Sequence, residues 1–128
     1  MGEGWRLRRQ EGSQALELVA LLPLLVTTAL VLWQFALTGY TLIVAETAVR
    51  DAGRAAAAGQ DPVAAARLVA GDLPVTVDPP SYAGDAAGCQ VSLRLQVEVP
   101  LVALPFLRGR SLSIARQAIM PAAAGLCP

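Results

Sequence analysis

Leu18 to Ala45 form a run of 28 residues without a single charge, bounded by Glu17 and Glu46. About twenty predominantly apolar residues are enough to cross the hydrocarbon of a bilayer, so this run is a membrane-helix candidate with margin. The chain has 128 residues, room for one small domain at most. With the run in lipid, roughly eighty residues remain for a soluble core, close to the smallest that stands alone. Hydrophobic residues make up 55% of the chain and aromatics only 5%, so the excess is Ala, Val and Leu, the stuff of an apolar helix. Pro23 would disfavour the interior of a soluble helix, but membrane helices tolerate it. Trp33 and Tyr40 fall where an interfacial aromatic belt is expected.

Three arginines, Arg6, Arg8 and Arg9, precede the run, whereas the first base after it, Arg50, is followed at once by Asp51. The positive-inside bias predicts a single-pass protein of the cytoplasmic (inner) membrane, N-terminus in the cytoplasm and C-terminal part outside. A cleaved secretory signal has an apolar core of 7–15 residues and a small-x-small site after it. Here the run is about twice that length and no such site follows. Arg8-Arg9 resembles a twin-arginine signal, but the residues after it do not continue that pattern.

Glu17 stands at the mouth of the run. An ionisable group at the edge of a membrane helix costs up to a few kcal/mol and marks a functional site by default. Two readings compete: a solvated acid in the first turn, favoured by the helix dipole, or a carboxylate kept for a partner. The neighbours bear on the choice. Gly12-Ser13 comes before it, and Glu17 is the fifth residue counted from Ser13.

A basic leader, Gly, a small residue, Glu at the fifth place and an apolar helix together resemble a type IV prepilin processing site. Within that class, "RRQEGSQALELVALLPLLV" is similar to the TadE-like pseudopilins of the tight-adherence (Flp) pilus system of bacteria and archaea. The likeness is close over residues 6–25 and looser over 26–60. It implies cleavage after Gly12 by a membrane-embedded prepilin peptidase, leaving Ser13 with a free α-amine. It also implies that Glu17 pairs with that amine or with a neighbouring subunit's, since an unpaired carboxylate in low dielectric is penalised. Other pilin and pseudopilin subunits, the pilus assembly machinery and the lipid bilayer are then the expected partners.

The rest of the chain reads as a small exported domain. The helix is expected to continue to about Ala58, supported by Glu46 four residues before Arg50 and closed by the Gly of "AAAAG". Asp61-Pro62 reads as a cap and first-turn proline opening a second helix to Gly71. "VTV" at 75–77 is a short strand and "SYAGDAAG" at 81–88 a loop. From Val91 to Val99 apolar and polar residues alternate strictly, the mark of a half-buried antiparallel strand. "SLSIARQAIM" at 111–120 offers its partner, with Arg116 out of pattern. The expected fold class is α+β: a long transmembrane helix with an Ala-rich extension, then a three-stranded antiparallel sheet, a pilin-like layout. The expected organisation is a basic leader at 1–12, the membrane helix at 13–45, a helical stalk at 46–72 and a β-rich domain at 73–128.

Two features of that domain admit alternatives. The connection "LVALPFLRGR" at 101–110 is unusually apolar for a loop. It either fills the core beneath the sheet or exposes a patch of Leu101, Val102, Leu104, Phe106 and Leu107 for docking. Cys89 and Cys127 are either bridged, as exported domains favour, or two separate thiols.

The chemistry-bearing inventory is thin. There is no His, formal net charge is zero, and all ten bases are Arg. No metal-ligand cluster, nucleophile–base pair or phosphate-binding glycine loop can be assembled from what remains. No charge excess points to nucleic acid. An enzyme, a cofactor or a metal is therefore not expected. Besides the pseudopilin reading, the sequence allows an unprocessed, membrane-anchored extracytoplasmic binding module unrelated to pili.

Overall fold

A computed structural model describes residues 4–86, 88–101 and 111–128, with side chains from Ala15 onward. Contacts divide the chain into residues 1–35 and residues 36–128, and the long helix α1, Gly4–Ala57, runs through both. In the first unit every described side chain except Gln34 is exposed. Apolar residues point in all directions, so this part of the helix does not bury a single face; it is long and apolar enough to cross a membrane. The hydroxyls of Thr27 and Thr28 donate to the carbonyls of Pro23 and Leu24 at 2.7 and 2.8 Å, so they impose little polar cost on such a segment.

In the second unit α1 changes role. Thr41, Val44, Ala45, Ala48, Val49, Ala52, Ala55 and Ala56 are buried. They recur at three- and four-residue spacing, one stripe of a 3.6-residue helix. Most are alanines, which let the helix lie close on a sheet. Closest is Gly53, where an added Cβ would come within 3.1 Å of the Met120 thioether. The apolar run therefore overlaps the domain core by a full turn. Residues 46–57, expected as part of a stalk, pack directly on the sheet as its helical layer.

α1 ends with two bonds that satisfy its last carbonyls: Gln60 N–H donates to Ala55 O at 2.7 Å and Gly59 N–H to Ala56 O at 3.0 Å. Gly59 takes a φ of +71°, a left-handed conformation that glycine adopts without strain. Asp61 then caps α2, Pro62–Ala70, by accepting from Val63 N–H at 2.9 Å. Both helix ends fall within a residue of where the sequence places them.

The sheet has four strands, not three: β1 Val75–Val77, β2 Ser81–Asp85, β3 Gly88–Val99 and β4 Leu112–Pro121. β3 is central and all pairings are antiparallel. β4 matches one edge from Gln90↔Pro121 to Val99↔Leu112. The other edge is shared end to end by β1, from Val75↔Val97 to Val77↔Leu95, and β2, from Ser81↔Ser92 to Asp85↔Gly88. Between them Asp78, Pro79 and Pro80 oppose only Leu93 and Arg94, so that edge carries one extra residue, a bulge. The two prolines offer no N–H and interrupt the ladder there. Val91, Leu93, Leu95, Val97 and Val99 are all buried, facing α1 and α2 as their alternation predicts. β4 runs in the same direction as α1, with Arg116 near Glu46, Ala118 and Met120 beside Gly53, and Ala123 N–H on Ala57 O at 3.2 Å.

Candidate functional site

Glu17 lies inside α1, thirteen residues beyond Gly4, and its side chain is exposed. The first turn of α1 holds no acid. A dipole-stabilised, first-turn carboxylate is thus not what this chain presents, because the helix starts well before the apolar run. Gly12 and Ser13 belong to the same helix and have α-helical backbone. A bond there can enter an extended protease cleft only after local unwinding, which glycine makes easier by about 1 kcal/mol relative to alanine. Were the chain cut after Gly12, Ser13 would become the helix start. Glu17 would then stand one turn away, at ~6 Å of helix rise.

Farther along, Glu46 gathers two arginines. Arg50 donates to Glu46 Oε1 at 2.8 Å, and Arg116 Nε lies 3.6 Å from Glu46 Oε2. Arg116 pairs with Leu95 on the core-facing side of β4, so it is out of pattern in an otherwise apolar phase. Its misfit is explained by Glu46: the guanidinium reaches past the helix edge to a carboxylate that the sequence places elsewhere in the chain. All three groups are partly exposed, so each pair contributes well under 1 kcal/mol.

Cys89 and Cys127 are joined as a disulfide with Cα atoms 5.8 Å apart. Around it the tail is folded back on the domain. Ala122 N–H donates to Cys89 O at 2.8 Å, Leu126 rests on Gly59, and the Tyr82 hydroxyl donates to Ala56 O at 3.1 Å. The tail and β2 together finish the C-terminal end of α1. Of the apolar patch expected at 101–107, Leu101 is half-buried. Val102, Leu104, Phe106 and Leu107 lie outside the described residues.

On the outer face of the sheet a depression of about 250 Å³ is lined mainly by polar groups, with Asp78, Ser81, Ser92, Arg94 and Gln117 on its rim. Among the described residues no three His, Cys, Asp or Glu side chains converge. Sequence reasoning passed over two elements here. The small-residue stripe from Thr41 to Ala56 was visible as periodicity within an apolar run, whereas the Glu46–Arg116 pairing had no local signal. No family model, no curated protein and no solved structure matches this chain.

Proposed function

We propose that this protein is a membrane-anchored minor pseudopilin or assembly factor of a tight-adherence (Flp) type IV pilus, processed after Gly12 by a prepilin peptidase. The observation that carries the reading is Glu17, an exposed acid at the entrance of an all-round apolar helix, at the fifth place from Ser13. Continuity of that helix into a small α+β domain, where it forms one layer over an antiparallel sheet, supports a pilin-like layout. Cleavage would remove three arginines and two glutamates, taking the formal charge from 0 to −1 and exchanging a basic leader for a single amine beside Glu17. That amine is the nearest cation available to the carboxylate, and a pair in low dielectric is attractive where a lone charge is not.

The test is N-terminal sequencing of the protein purified from membranes of cells that contain the peptidase. Ser13 as first residue is the expected result, and Gly12→Val is expected to leave the leader in place. An intact leader in the wild-type protein would favour the unprocessed binding module instead.

A further inference from the structure

We propose that the end of the sheet domain carrying Tyr40, Ile43 and Leu112 is a lipid-contacting base, seated in the headgroup layer of the bilayer that α1 crosses. The proposal rests on reading α1 as a membrane span. It adds that no stalk separates the span from the domain.

Residue counting sets the level. About twenty residues of helix cross the hydrocarbon, which from Leu18 reaches Leu37. The headgroup layer adds roughly 5–7 Å on each side, or about four to five further residues at ~1.5 Å each, Thr38 to Leu42. At this level the core of the domain has already begun, since Thr41 is fully buried and Val44 and Ala45 follow it. On the opposite face of the same turns, Tyr40 and Ile43 are 59% and 69% exposed. The helix therefore has protein on one side and an uncharged, apolar surface on the other before Glu46, the first charge after Glu17.

The sheet reaches the same level. Ala118 of β4 lies beside Gly53 of α1, and the two elements run in the same direction. From Ala118 back to Leu112 is six residues, ~20 Å of strand at ~3.4 Å each. That height equals about thirteen residues of helix, which from Gly53 ends at Tyr40; a slanted strand ends nearer Ile43. Leu112, 49% exposed at the first position of β4, is then level with the exposed apolar turn of α1. Above it, on the α1 side of the sheet, come Arg116 and Glu46, the ion pair with which charge resumes on that face, while on the opposite face Glu98, paired with Ser113, is already exposed one residue above Leu112. An aromatic with a polar tip, two aliphatic side chains and then paired charges is the order of groups expected on passing from acyl chains through headgroups to water. The occupant is lipid because Tyr40 and Ile43 belong to the same uncharged run of α1, Leu18 to Ala45, that supplies the span, and both are exposed.

The test uses the full chain in phosphatidylethanolamine/phosphatidylglycerol vesicles, with Trp5→Phe throughout. Retaining Trp33 alone reports the span. In a background that also carries Trp33→Phe, Leu112→Trp and Ile43→Trp report the base. Ala83→Trp, whose partner strand position is nine residues farther along β4 at Pro121, reports the far end of the domain. The intact Cys89–Cys127 bridge on non-reducing gels checks folding of each variant.

Lipids brominated near the headgroup end of the acyl chain are expected to quench most of the emission from Leu112→Trp and Ile43→Trp, which is blue-shifted. Ala83→Trp should emit as in water, unquenched. Quenching of Trp33 without quenching at positions 43 and 112 overturns the seated base and leaves the span standing. Blue-shifted but unquenched emission at 112 means a protein partner covers this face and overturns the proposal too. Absence of quenching at Trp33 removes the span and the base together.

Discussion

Removing the Cys89–Cys127 bridge should destabilise the sheet domain by about 4 kcal/mol. The bridge closes a loop of 38 residues' separation. In the chain-entropy relation, a closed loop of that size withholds roughly 13 cal/mol/K from the unfolded chain, about 4 kcal/mol at room temperature. Domains hold ~0.05–0.15 kcal/mol per residue. The unit from Ala36 to Pro128 should therefore unfold at about 5–14 kcal/mol, so the loss is more than about a quarter of that stability. The assay is hydrogen exchange of the full chain in detergent micelles, comparing Cys89→Ala/Cys127→Ala with the oxidised wild type. Core amides such as those of Val91 to Val97 exchange through global opening. At about 1.4 kcal/mol per factor of ten, their protection should fall by about a thousandfold. A loss of less than tenfold in β3 would refute the reasoning. Loss confined to residues 122–128 would mean that the bridge only fastens the tail.

Other perturbations separate packing, capping and processing. Leu95→Ala, at a fully buried position of the central strand in the core it shares with α1, should cost about 2–5 kcal/mol in the same exchange assay. Gly53→Leu should cost about 1–3 kcal/mol, because even a Cβ there meets Met120 at 3.1 Å. Gly59→Ala, at a φ of +71°, should cost about 1–2 kcal/mol, read as fraying of the last turn of α1. Glu17→Ala should still be cut after Gly12 yet assemble poorly into filaments counted by electron microscopy; normal assembly by this variant would remove the pairing role.

The parts of the fold that follow a period or a cap were legible from residues alone. Asp61-Pro62, the Gly59 stop and the alternation from Val91 to Val99 each act through neighbours a few positions away, so local sequence is sufficient. β2 was not legible. "SYAGD" contains Gly, Ala and Asp, which are depleted in strands, and only Tyr82 suits a pleated surface. It is a strand because β3 presents an open ladder from Gly88 to Ser92, and backbone groups pair whatever side chains they carry. Arg116 was legible only as a misfit; its reason, Glu46, lies 70 positions away in sequence and 3.6 Å away in space.

By itself, the sequence determined that residues 18–45 are long and apolar enough to cross a membrane, that a sheet of half-buried strands follows a long helix, and that the apolar run begins directly after an acid, Glu17. Hydrophobicity and period are properties of each segment, so they survive without knowledge of the rest. Only the tertiary structure decided how the apolar run divides. Lipid tails and the side chains of a protein core are equally apolar, so no residue from Leu18 to Ala45 declares which of the two it will meet. That choice is made where Leu93, Leu95 and Val97 come to lie against Ala45, Ala48 and Ala52. Packing against a sheet claims one face of α1 from Thr41 onward and leaves the other to its surroundings.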